Sequence, residues 1–236
     1  MTHQRAGTRT PVAEAAPGRA GAAVERVFAI MAARGIPVAP PPTPSSDPDH
    51  RAQADPRIPA LFRDAVAEDP RVLDWAQRVA AHARRTPGGA VTVAGARSLL
   101  LLGPTGTGKT HQAFGALRAL ARHGVRLGWR SESAADLYAA LRPTQSRDTE
   151  RELWTVMTSP LLMIDDLAAA KPSAWTEEIT YRVVNHRYAH QLPLLITSNE
   201  PLERIRTVLG DRVASRLAQM TDRVVLTGPD RRRQTG

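Results

Sequence analysis

Hydrophobic residues in this chain follow two patterns. Unbroken apolar runs at residues 99–102, 161–164, 194–196 and 224–226, with a short mixed stretch at 125–129 (Val-Arg-Leu-Gly-Trp), predict strands of a sheet whose central members are buried on both faces. Between them, apolar positions recur at helical spacing and predict helices at 111–122, 134–141, 150–157, 175–188, 202–209 and 213–220. Strands alternating with helices in this way imply an α/β domain whose central parallel sheet is covered by helices on both faces. No internal repeat is present.

Ahead of the first apolar run, Asp69-Pro70 has the form of a helix start, with Asp as cap and Pro in the first turn. The helix it opens carries Val72, Ala76, Val79 and Ala83 on one face, and Gly88-Gly89 breaks it before the strand. Further upstream, Val24, Val27, Phe28 and Met31 recur at i, i+3, i+4 and i+7 until Gly35 and Pro37 stop the pattern. This predicts a short amphipathic helix at 21–36. Pro at 37, 40, 41, 42, 44 and 48 gives the following stretch the composition of a semi-rigid extended linker, assigned to residues 37–56. Residues 1–20 lack periodicity and read as a disordered tail. The main domain is then 57–228, followed by a basic tail at 229–236 whose Arg231-Arg232-Arg233 either touches phosphates or trails in solvent, the second being favoured. The helix at 21–36 either folds back on the main domain or docks a partner, and the linker behind it favours docking.

Composition narrows the setting. In 236 residues, 42% hydrophobic content is enough for a real core. No run approaches the roughly 18 to 20 apolar residues of a membrane helix, and no compact apolar stretch near the N-terminus marks a secretory signal. The absence of Cys excludes disulfides and thiolate metal sites and fits a cytoplasmic protein. The net charge of +9 suggests a polyanionic partner. That inference is weakened because Lys109 and Lys171 are the only Lys among the 32 basic residues, an Arg bias that coding composition can produce.

Against that background Lys109 stands out, and its surroundings carry the chemistry. Ser98-Leu-Leu-Leu-Leu runs directly into Gly103, Pro104, Thr105, Gly106, Thr107, Gly108, Lys109 and Thr110, followed by His111. This fills the pattern G-x-x-x-x-G-K-[ST] between a strand and a helix. In such a loop, backbone N–H groups wrap nucleotide phosphates, Lys109 reaches the terminal ones and Thr110 holds Mg²⁺. Asp165 and Asp166 end the second apolar run, where Asp165 would hold the metal and Asp166 would orient or deprotonate the attacking water. Thr197-Ser198-Asn199 ends the third. Asn199 could bind the γ-phosphate or the lytic water, while Ser198 or Asn199 could equally cap a helix before Pro201. Arg212 and Arg216 share one helical face, either solvated or offered to a neighbour's site as an arginine finger.

Together these residues resemble the AAA+ ATPases of the DnaC/IstB group, the bacterial and phage replicative helicase loaders and their transposition-helper relatives. The resemblance covers roughly residues 57–228 and rests on the loop with its trailing Thr-His, on Leu-Leu-Met-Ile-Asp-Asp-Leu, on Ile-Thr-Ser-Asn, and on Ile58-Pro59 with Phe62-Arg63. It implies a P-loop three-layer sandwich with a small or absent C-terminal lid. It places Arg216 at the arginine-finger position and Arg212 beside it. The helical pair between 133 and 157 would be the insertion that lies near single-stranded DNA, with Arg142, Arg147 and Arg151 as contacts and Trp129, Tyr138 and Trp154 as stacking or core aromatics, the core being favoured for the Trp residues. Asp166 is shorter than the Glu many AAA+ enzymes use as base, which implies slow turnover. The expected activity is ATP and Mg²⁺-dependent loading of a replicative helicase hexamer, gripped by residues 21–36, onto single-stranded DNA, within a helical or ring oligomer. The alternatives are a transposase helper acting on DNA and an ATP-binding interaction module with little hydrolysis.

Overall fold

The computed structural model describes residues 55–143, 148–169 and 171–231. The tail at 1–20, the helix expected at 21–36, nearly all of the linker, Arg147 and the end of the basic tail lie outside the described residues.

Five strands form the central sheet: β3 (Ser98–Leu102), β4 (Trp129–Ser133), β5 (Leu161–Asp165), β6 (Leu194–Ser198) and β7 (Thr221–Val225). Their order is β4-β5-β6-β3-β7, and every pairing is parallel. The three central strands are the three strongest apolar runs, because a strand with neighbours on both sides and helices on both faces has no position that meets water. Alternate residues feed two cores. Leu99, Leu101, Leu161, Met163 and Leu195 face one layer, where they pack with α1 (Pro70–Ala81) and α2 (Lys109–Arg122). Leu100, Leu102, Leu162, Ile164, Leu194 and Ile196 face the other, against α3 (Ala134–Ala140), α4 (Thr149–Thr158), α5 (Ala174–Ala189), α6 (Leu202–Leu209) and α7 (Asp211–Met220).

The two edge strands are displaced from their apolar runs. The sequence predicts strands at 125–129 and 224–226, whereas β4 begins at Trp129 and continues through Arg130–Ser133, and β7 begins at Thr221. An edge strand keeps one side open to water and tolerates polar residues, so its hydrophobic run marks the wrong stretch. Polar side chains are used there: Arg130 bonds Glu132 and Glu152 at 3.0 and 2.7 Å, and Asp222 bonds Arg78 and Arg97, each at 2.7 Å.

The cap at Asp69 is as expected, its side chain accepting from the Arg71 N–H with Pro70 in the first turn. The helix stops at Ala81, and a two-stranded ribbon of β1 (Arg84–Arg85) and β2 (Val91–Thr92) intervenes before β3, with Gly88-Gly89 at its turn. The aromatic residues divide. Trp75 and Tyr138 are buried, the first donating to Arg97 O at 2.7 Å and the second bonded to Thr180. Trp129 is buried as expected, but Trp154 is 57% exposed with its ring edge against His186, contrary to the core placement. Trp154 lies on the outer side of the short α4, which buries Leu153, Val156 and Met157 instead. Among the described residues no helix is long and apolar enough to cross a membrane.

α2 is held against the segment before α1 by backbone proximity. A Cβ on Gly115 would overlap the backbone of Val66 and Ala67. Gly115→Ala gains about 1 kcal/mol of helix propensity. The clash is with backbone that cannot rotate away, and overpacking of this kind costs about 1–3 kcal/mol. Denaturant unfolding of Gly115→Ala is expected to give a net loss of up to about 2 kcal/mol; higher stability than the parent would show that the two elements can separate.

Candidate functional site

The phosphate-binding loop leaves the carboxyl end of β3 and turns into α2 with Gly108 as the helix cap, at φ 88°. That left-handed conformation favours glycine, and it aims the first amides of α2 into the loop. Thr107 is buried and donates to Pro104 O at 2.9 Å, while Pro104 and Thr105 are exposed at the loop tip. Lys109 is 6% exposed, and its Nζ donates to Gly103 O and Pro104 O, each at 2.8 Å, and to Asn199 Oδ1 at 2.5 Å. His111 and Gln112 continue the helix, and Gln112 Oε1 accepts from the backbone of Glu68 and Asp69 at 3.0 and 3.2 Å.

The register carries the acidic residues to this loop. Leu162 pairs with Leu194 and Leu101 with Thr197, so the end of β6 stands between the phosphate loop and the end of β5. Thr197 uses its hydroxyl twice, donating to Asp165 Oδ1 at 2.6 Å and accepting from the Asp166 N–H at 2.8 Å. Thr110 donates to the same carboxylate at 3.0 Å. Asp165 is therefore fixed between two threonine hydroxyls. These oxygen donors suit Mg²⁺, which takes one or two protein oxygens and completes its shell from phosphates and water.

Asp166 sits at φ 57°, a left-handed conformation that Asp tolerates better than most residues. The turn it begins is pinned to β6, since the Leu167 N–H donates to Thr197 O and Ser198 Oγ donates to Leu167 O, both at 2.8 Å. Burial pushes the Asp166 carboxyl above the usual range, the neighbouring Asp165 adds to this, and Lys109 opposes it. Asn199 Nδ2 donates to Asp166 Oδ1 at 2.6 Å. Because Lys109 can only donate and a carboxylate only accept, these two bonds fix the orientation of the Asn199 amide. The alternative role of Ser198 or Asn199 as helix cap is not observed: Pro201 is the cap of α6, with no side-chain bond. Ser198 is committed to Leu167 and to the Glu200 N–H, and Asn199 to the site.

Arg212 and Arg216 share a face of α7, as the spacing requires, and both turn toward α5. Arg216 donates from Nε to Asn185 Oδ1 at 2.7 Å and lies over Tyr181 and Tyr188, while Arg212 lies over Tyr181. Arg142, just after α3, and Arg151, in the first turn of α4, are both exposed, and Arg142 lies over Trp175. Sequence reasoning singled out Asn199 but passed over Thr197, whose signal was its place as the first polar residue of β6, opposite Asp165. It also sent the C-terminal tail into solvent, whereas Arg231 bonds to the phosphate loop, its N–H donating to Gly106 O at 3.0 Å. The tail is drawn back because β7 runs parallel to β3 and ends beside the loop.

Residues 73–228 match the family described as IstB-like ATP binding protein. An ATP-binding protein of an insertion sequence in Mycobacterium tuberculosis is 29% identical over 143 residues, which cover 57% of this chain and 55% of that protein. The replicative helicase loader DnaI of Bacillus subtilis is 27% identical over 137 residues, 55% of this chain and 43% of that protein. The chain thus spans about half the length of these relatives. A crystal structure of the DnaC helicase loader superposes with a TM-score of 0.58 at 25% identity, covering 72% of this chain and all of that one. A phosphate loop joined through β6 to an acidic turn, on a sheet shared with these proteins, places the chain in the family of IstB-like ATP binding proteins, within the DnaC/IstB group of AAA+ ATPases.

Proposed function

We propose that this chain hydrolyses ATP at the site built by residues 103–111, Asp165, Asp166 and Asn199, and uses the cycle to load a replicative helicase onto single-stranded DNA. The observation that carries the hydrolytic reading is the Asn199 amide, which joins Lys109 Nζ to Asp166 Oδ1. Lys109 and the amides of the loop would bind the phosphate chain. Thr110 and Asp165 would hold Mg²⁺, which when bound neutralises charge developing on the phosphate oxygens. Asn199 positions the attacking water beside Asp166, which accepts its proton as the water oxygen bonds to the γ-phosphorus and the bond to the ADP oxygen breaks. The upward push on Asp166 suits a base, since it raises the proton affinity of the carboxylate. Arg216 would complete the site of a neighbouring copy, with Arg212 supporting it, and Arg142, Arg147 and Arg151 would meet DNA.

The likeness to loaders supports the helicase assignment, and the expected helix at 21–36 would supply the grip. A second reading, a helper ATPase for a transposase, is supported by the family itself and by the insertion-sequence relatives. A pull-down of purified replicative helicase with the full chain, with and without ATP, separates them. Capture that is lost on deleting residues 1–50 while ATP binding persists is the expected result; no capture in either condition would favour the transposase partner, and capture by the deleted form would remove the docking role.

Two variants test the chemistry. Thr197→Val keeps the shape of β6 and removes the hydroxyl that holds Asp165, and loss of such a positioning bond is expected to lower ATP turnover about 10- to 100-fold. Unchanged steady-state turnover would show that Thr110 alone orients Asp165. Arg216→Ala is expected to retain ATP binding by calorimetry and to lose hydrolysis in the assembled protein, about 10³-fold or more. Normal turnover in that variant would remove the arginine from the site.

A further inference from the structure

The chain beyond β7 stays against the phosphate loop. The Leu226 N–H donates to Leu102 O at 2.7 Å, and five residues later the Arg231 N–H donates to Gly106 O at 3.0 Å. The segment 226–231 is therefore a strap along the rim of the loop, with the Asp230 carboxylate packed on Gly106. The Arg231 side chain lies across Gly108, where a Cβ would stand 3.5 Å from Cδ and 3.8 Å from Cζ of the arginine. Its Nη1 donates to Glu68 Oε2 at 2.9 Å, which bridges the strap to the segment ahead of α1. Between strap, loop and segment lies a cavity of 280 Å³ lined by Glu68, Asp69, Arg71, Thr107, Gln112 and Arg231, among others.

The ion pair that holds Arg231 is weak. Its side chains are 53% and 59% exposed, and water screens exposed pairs of this kind to little net stabilisation. A guanidinium beside the cap of the anion-binding helix gains more from a phosphate, whose oxygens it can meet in a fork geometry and which carries more charge than a carboxylate. Rotation about its own side-chain bonds is enough for the exchange, because the backbone of the strap is already anchored on Gly106.

We propose that Arg231 is a nucleotide-binding residue supplied in cis by this strap, and that it trades Glu68 for the phosphate chain of a nucleoside di- or triphosphate seated on the loop. Glu68 is then a competitor for the arginine in the free protein, and it sets how easily the strap engages. This rests on the reading that the loop binds ATP, and the strap adds a contact that the loop motif does not contain.

The two partners must act with opposite sign. Calorimetric titration of the full chain with ATP and with ADP is expected to show about 10-fold weaker binding for Arg231→Ala, the lower end for loss of a charge-assisted bond. Glu68→Gln is expected to tighten binding about two- to fivefold, the size of the surface pair it abolishes. In the double variant the Glu68 change should bring no gain. If the pair only braces the fold, both single variants weaken binding or neither does, and either outcome overturns the proposal. Wild-type binding that Lys109→Ala abolishes and Arg231→Ala leaves unchanged would overturn the strap alone; wild-type protein that binds neither nucleotide would overturn the ATP reading and the strap with it.

Discussion

The site depends on one hydrogen-bonded hydroxyl, Thr197 Oγ1, 2.6 Å from Asp165. Neighbouring strands lie about 4.8 Å apart, so β3 and β5, with β6 between them, are about 10 Å apart. Thr110, at the end of the phosphate loop, closes that gap to Asp165 at 3.0 Å, and β6 braces the junction from between the two strands. β6 spans it twice at the carboxyl end of the sheet: Thr197 takes hold of the first aspartate and of the backbone of the second, and Asn199 reaches Lys109 on one side and Asp166 on the other. The strand order thus explains why polar residues stand at the tip of an otherwise apolar strand.

Holding these groups together has a cost. Adjacent aspartates repel, Asp166 is partly buried, and its backbone is left-handed. Isolated, such a turn would relax. Two bonds at 2.8 Å between Leu167 and β6 prevent this, and the apolar strands beneath supply the stability that offsets it. The opposite end of the sheet is secured by a different device. Arg187 is fully buried, and its guanidinium donates to carbonyls of Met157, Ser159 and Pro193, closing the end of α4 onto α5 and the approach to β6. Burial lowers its pKa to about 9, still high enough to leave it charged near neutral pH. The register of β6 is therefore fixed at both ends, which matters because a slip of one residue would turn Thr197 to the other face.

How much of this was legible in the sequence follows from how local each signal is. The phosphate loop, the acidic pair and Asn199 are short patterns next to apolar runs, so residue type and neighbours sufficed. The central strands were legible for the same reason that they are central: no position meets water. The edge strands were not, since Arg130–Ser133 and Thr221–Arg223 are polar where the sheet ends. Thr197 became visible only with the strand order, because its partner lies 32 residues away in sequence. Arg231 was hidden more deeply, as its contact with Gly106 exists only because β7 returns beside β3.

The same distinction applies to Arg216. Its spacing from Arg212 could describe a solvated face, and a freely moving arginine would lose much of its side-chain entropy on entering another subunit's site. In this fold it is half-buried, bonded to Asn185 and laid over two tyrosines. Much of that ordering is complete before any neighbour arrives. In the proposed finger role, an arginine restrained in this way on α7 would have less to lose on association, so its interaction with a phosphate would be felt more fully in the rate. In that role, Asn185, Tyr181 and Tyr188 would be the residues that pre-order the arginine, although none of them would touch nucleotide.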